Sequence, residues 1–120
     1  MLPPVYQTLM ASPVGAMATG GIRRHNVAGQ SAKAPYITWF LLSSVPENQL
    51  SGLPPVDRAT VQIDCWHRDD AGVEALATAV RDAVEPHAHL TSIPIDDWEP
   101  ETRLFRIGLQ FDWLLPRSGP

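Results

Sequence analysis

The sequence predicts one α+β domain over residues 1–120, with a mainly antiparallel sheet of about four strands, one long amphipathic helix packed on one face, and short N-terminal helices. Three observations lead there. From Phe105 to Trp113 apolar and polar residues alternate without a break, the period-two pattern of a strand with one buried face. Over 70–85, Val73, Leu76, Ala77, Val80 and Val84 recur at helical spacing. The 120 residues, 44% hydrophobic and 18% charged, suffice to bury roughly two-thirds of the unfolded surface in one core but are too few for two ordinary domains.

Each element has its own signal. Pro3 and Pro4 suit the first helical positions, and Leu2, Val5 and Leu9, with Tyr6 at the edge, share one side of a helical wheel, predicting a short helix near 3–11. Ser12-Pro13 starts a second short turn as N-cap and first helical residue, and Gly20-Gly21 ends it. Residues 22–34, small and polar with two adjacent arginines, read as a long loop. The aromatic and aliphatic run 36–42 reads as a strand, followed by a second loop over 44–58 with Pro46, Pro54 and Pro55.

Val61, Ile63 and Cys65 alternate with Gln62, Asp64 and Trp66 in a half-buried strand that leads into the helix. Asp69 or Asp70 caps that helix and Pro86 ends it. Gly72, Ala75, Ala79 and Ala83 form a small-residue flank beside its apolar stripe. Two explanations stand for the flank, the helix preference of Ala and a flat surface for a neighbouring helix or subunit. Residues 87–95 read as an irregular edge strand because Pro94 cannot donate to a central ladder, and Asp96, Asp97, Glu99 and Glu101 with Pro100 read as the turn before the last strand.

Charge is unevenly distributed. Residues 1–46 hold Arg23, Arg24 and Lys33 and no acid, a charge of +3, whereas residues 47–120 carry −7. No sustained basic stripe is present to neutralise a series of phosphates, so a general nucleic-acid binder is not expected. A dipolar chain can instead attract its own copies head to tail. The single cysteine, Cys65, forms no internal disulfide. The densest apolar run, Tyr36–Leu42, is far shorter than the roughly 20 residues of a membrane helix. Ala16-Met17-Ala18 imitates a signal-peptidase site but follows no basic segment and no apolar stretch, so a cytosolic product is expected.

Candidate chemistry is sparse. Cys65 and His67 share a strand face, yet Cys65 continues the apolar Val61 and Ile63 face, which points to an inert thiol. His87-x-His89 with His67 or Asp69 lacks a second ligand pair at zinc spacing. Of the adjacent carboxylate pairs, Asp69-Asp70 is explained by helix capping and Asp96-Asp97 by a solvated turn, and adjacent side chains on a strand would diverge rather than converge. No phosphate-binding glycine loop and no nucleophile elbow is present. No catalytic residue, metal or cofactor is expected.

Several segments together resemble the tail completion, or tail terminator, proteins of long-tailed bacteriophages and prophages. They are Leu9 to Val14 with its Ser12-Pro13; Ala34-Pro35-Tyr36-Ile37; Val61-Gln62-Ile63-Asp64-Cys65-Trp66 leading to Ala75-Leu76-Ala77 and Val80-Arg81; and Asp97-Trp98-Glu99-Pro100-Glu101-Thr102 followed by Leu104-Phe105-Arg106-Ile107. The resemblance covers nearly the whole chain; Arg23-Arg24-His25 departs from the family's usual pattern. It implies a virion subunit, assembled in the host cytoplasm, that forms a homohexameric ring at the head-proximal end of the tail. Such a ring ends tail-tube polymerisation and joins the head, with the tube protein and a head-completion or connector protein as partners. DNA passes through without specific binding, and no membrane is involved.

Candidate interface residues are Arg23 and Arg24 in the first loop, Leu50 and Leu53 as apolar anchors in the second, and Gly72, Ala75 and Ala79 on the helix flank. Two alternatives remain. One is a head-to-tail connector or other minor tail subunit. The other is a small cytosolic ligand-binding domain with Trp39, Trp66 and Trp113 around a pocket.

Overall fold

A computed structural model describes residues 2–25, 33–47 and 56–116. Along the chain lie α1 (Val5–Met10), α2 (Val14–Met17), β1 (Ile22–Arg24), β2 (Tyr36–Glu47), β3 (Val56–His67), α3 (Asp70–Val84), β4 (His89–Glu99) and β5 (Leu104–Pro116). The fold is α+β, but the expected sheet of about four mainly antiparallel strands is instead a mixed sheet of five, in the order β1-β2-β3-β5-β4. β1 runs parallel to β2, while β2–β3, β3–β5 and β5–β4 are antiparallel.

The added strand corrects the reading of 22–34 as loop from its start. Gly20 N–H donates to the Pro35 carbonyl and Ile37 N–H to the Gly21 carbonyl, at 2.8 and 2.9 Å, so the two glycines dock the backbone on the beginning of β2. Gly21 takes φ 108°, a conformation open to glycine, and a side chain on Gly20 would overlap the Lys33 carbonyl. With the chain held there, Ile22 falls opposite Ile37 and enters the core. Residues 26–32 lie outside the described residues.

The helical readings hold, with small adjustments. Ser12 Oγ accepts the Val14 N–H at 3.2 Å, so the hydroxyl caps α2 although Pro13 is its N-cap position. Asp69 is the N-cap of α3 but its side chain makes no capping bond. Its N–H donates to His67 Nδ1 at 3.0 Å instead. Val73, Leu76, Ala77, Val80 and Val84 are all buried and pack α3 on β3 and β5, while α1 and α2 pack on α3 through Val5, Leu9 and Val14. Burying a Val or Leu side chain stabilises by about 1.5–3 kcal/mol, so this stripe, rather than capping, holds α3 in place.

Two further boundaries differ. The 44–58 loop is shortened by strand at both ends: β2 runs on to Glu47 and β3 begins at Val56, paired to the last residue across a bulge between Leu41 and Ser43. The acidic run is not the turn. Asp96, Asp97 and Glu99 belong to β4, because Trp98 and Glu99 find cross-strand partners in Phe105 and Leu104. The turn falls at Pro100–Arg103, closed by an Arg103 N–H to Glu99 carbonyl bond of 2.8 Å. β4 is the edge strand expected, with register shifts on either side of Ser92.

Candidate assembly surfaces

All three helices lie on one face of the sheet. Alternation puts Ile37 and Trp39, then Ala59, Val61, Ile63 and Cys65, then Ile107, Leu109, Phe111 and Trp113 on that helix-bearing face. The opposite face carries straight cross-strand rows: Tyr36, Trp66, Arg106 and Asp97 in one, and Thr38, Asp64, Gly108 and Ile95 in the next.

These rows carry a polar and aromatic network in which the buried Arg106 Nε is left without a hydrogen-bond partner. The Tyr36 and Trp66 rings stack at 5.7 Å and 17°, and the Arg106 guanidinium lies 4.8 Å from the Trp66 centroid. Trp66 Nε1–H donates to Thr38 Oγ1 at 3.0 Å. Asp64, buried to 2% exposure, accepts from Gln62 Nε2 at 2.9 Å and from Arg106 Nη2 at 2.8 Å. Glu99 lies 3.8 Å from Arg106 Nη1. Burial raises the Tyr36 phenol above its ordinary range, the Glu99 carboxylate adds to this, and Arg106 and Arg23 oppose it. The network ties β2, β3 and β5 together across the open face.

The two lateral edges of the sheet differ in charge. β1 carries Arg23 and Arg24. Arg23 donates to the Gly20 carbonyl at 2.8 Å, and the exposed Arg24 lies 5.8 Å from the Trp39 ring centroid. At the other edge β4 presents Asp96, Asp97 and an exposed Trp98. A third surface is the β2–β3 arm, which exposes Leu42, Val45 and, on the adjoining β5, Leu114. Leu50 and Leu53 lie outside the described residues.

On α3 the small-residue flank is largely occupied from within. The His67 ring fills the place a Gly72 side chain would need. Ala79 and Ala83 line a hollow with Ala11, Ser12 and Pro13. Ala75 is exposed.

The other sequence candidates are separated. Cys65 is fully buried, and burial pushes its thiol up, the reverse of activation. His87 and His89 line an open hollow of about 660 Å³ with Val56, Arg58, Glu85 and Asp112, whereas His67 and Asp69 lie at the opposite end of α3. Among the described residues no group of three His, Cys, Asp or Glu side chains is placed to hold a metal ion. Trp39 and Trp113 face the helices and Trp66 the other side, so the three do not share a pocket. Among the described residues no helix is long and apolar enough to cross a membrane. The β4 edge with Trp98 was not singled out as an interface by the sequence; an exposed Trp in a run of acids is the signal that points to it.

The fold is similar to that of a chain from the virion of a native gene transfer agent particle, which matches with a TM-score of 0.62 and 18% identity, over 94% of this chain and 92% of that one. Among curated proteins, none matches the chain. The family model of tail completion protein gp17 matches residues 3–115, and the chain belongs to that family. It is a structural protein of a phage tail.

Proposed function

We propose that the chain forms a homohexameric ring at the head-proximal end of the tail, where it ends tube polymerisation and offers the surface that joins the head. Family membership over residues 3–115 carries this reading. The opposite charges of β1 and β4 support it, because a ring requires two different patches that meet around a closed rotation. The β2–β3 arm, with Leu42 and Val45, and the sequence between its strands, with Leu50 and Leu53, are the segment that reaches the tube protein or the head-completion protein. Arg23, Arg24 and Ala75 face neighbouring subunits, with Gly72 and Ala79 shaping that side of α3. DNA slides through the lumen, so few Lys or Arg line its wall.

The test is removal of this chain from the virus or prophage that encodes it. Tails of uncontrolled length without heads, restored by supplying the protein, are expected. Tails of normal length joined to heads would overturn the role.

A further inference from the structure

The two edges of the sheet match in more than net charge. In β1, Arg23 pairs with Thr38 and so lies on the open face, while Ile22 and Arg24 pair with Ile37 and Trp39 on the helix-bearing face. In β4, Asp97 pairs with Arg106 on the open face, while Asp96 and Trp98 pair with Ile107 and Phe105 on the helix-bearing face. Asp96 also lines a hollow with Ala77, Thr78 and Arg81 of α3, as that face requires. Each edge therefore presents one charge on either side of the sheet, basic on β1 and acidic on β4.

Strand direction agrees as well. Through β1 parallel to β2 and the three antiparallel steps that follow, β4 runs opposite to β1. A copy placed beside the first with its sheet continued in the same plane would set its β1 antiparallel to β4. In an antiparallel pair, residues directly opposite share a face. One register then places Arg23 opposite Asp97, Arg24 opposite Asp96, and Ile22 opposite Trp98. Among the described residues no strand pairs with the outer side of β1 or β4, and neither Asp96 nor Asp97 has an ion-pair partner.

We infer that a second copy of this chain docks here, β1 of one subunit pairing antiparallel with the 95–99 half of β4 of the next. Resting on the self-assembly reading above, it identifies the two patches that meet. Pairing β4 with β4 would set aspartates against aspartates, and pairing β1 with β1 would set arginines against arginines, so the charges disfavour the symmetric alternatives. Pro94, which cannot donate to a ladder, confines the pairing to the residues after it. Trp98, 47% exposed in the single chain, is covered in the pair beside Ile22, an aromatic anchor within a charged rim.

Variants with one added cysteine test it, since the native Cys65 is buried and does not compete. Arg24→Cys and Asp96→Cys proteins, one carrying a mass tag, are mixed at low salt and oxidised. The mixed disulfide dimer is expected to exceed either homodimer by about tenfold, and to fall toward them in 1 M salt, where the Debye length is about 3 Å. Equal yields of the three dimers, or none of the mixed one, overturn the pairing.

Charge exchange provides a second measurement. The Arg23→Asp, Arg24→Asp variant and the Asp96→Arg, Asp97→Arg variant each lose self-association by light scattering, and the chain carrying all four changes regains it; no regain overturns the pairing. The two levels fail separately. Mixed linkage with an open series of lengths keeps the edge contact and rejects the closed ring. Closed wild-type rings without mixed linkage keep the ring and reject this contact.

Discussion

The carboxylate of Asp64 lies over the backbone of Gly108: a Cβ placed on Gly108 would stand 2.6 Å from Asp64 Oδ1 and 3.1 Å from Gln62 Nε2. The two residues are cross-strand partners on β3 and β5, so the missing side chain makes the room in which a buried carboxylate receives two donors. Gly108→Ala, with normal strand dihedrals available to it, should therefore destabilise the fold by about 1–3 kcal/mol, as overpacking does. Denaturant titration monitored by circular dichroism measures the effect; an unchanged midpoint would mean that Asp64 moves aside freely.

Removing the cation that faces Asp64 tests the other side of the same arrangement. Arg106→Leu leaves a carboxylate buried without its charge partner and should cost about 3–5 kcal/mol. Asp64→Asn in the same chain should return part of that loss, because the amide no longer needs a counter-charge. A double-mutant cycle reads the coupling, and strictly additive costs would show that Arg106 acts only by packing on Trp66.

Alkaline pH acts in one direction on this fold. Burial raises both the Cys65 thiol and the Tyr36 phenol above their unfolded values. Each group contributes stability that is fully present below its unfolded pKa and is lost as pH rises toward its folded one, since the unfolded chain releases the proton first. Stability should be level below about pH 8 and fall above about pH 9, by as much as ~1.4 kcal/mol per unit for the thiol. Cys65→Ala should move the onset into the tyrosine range, and Tyr36→Phe should flatten what remains. A profile of unfolding midpoints against pH that stays level to pH 11 would contradict this.

The apolar stripe of α3 can be separated from its solvent side. Leu76, fully enclosed, should cost about 2–5 kcal/mol on change to Ala, whereas the exposed Glu74→Ala should stay within about 0.5 kcal/mol. Ser12→Ala, which removes the α2 cap, should fall between them at about 0.5–2 kcal/mol. Thermal unfolding of the three variants ranks them directly.

The local periodicities of this chain were sufficient for much of its architecture. Five residues at spacings of 3, 1, 3 and 4 named the buried face of α3, and unbroken alternation named β5, because both patterns depend on backbone geometry within a few residues. The resemblance carried by the Asp64 and Trp98 segments agrees with the family match. Less was legible where structure depends on distant partners. A three-residue strand has too little sequence to announce itself, and Ile22–Arg24 becomes β1 only because Gly20 and Gly21 bring it against β2. The acids at 96–99 carry a turn-like composition but lie in a strand because Trp98 and Glu99 have Phe105 and Leu104 across from them.

The charge asymmetry shows the division most clearly. From sequence alone the N-terminal third is basic and the remainder acidic, and a head-to-tail attraction between copies follows from that. Only the tertiary structure decided that Arg23 and Arg24 stand on one edge of the sheet and Asp96 and Asp97 on the other, each pair split across the two faces. Strand order is a long-range property, set by which hydrophobic faces find one another across the core, and no local pattern of residues encodes where the two ends of a sheet will come to lie.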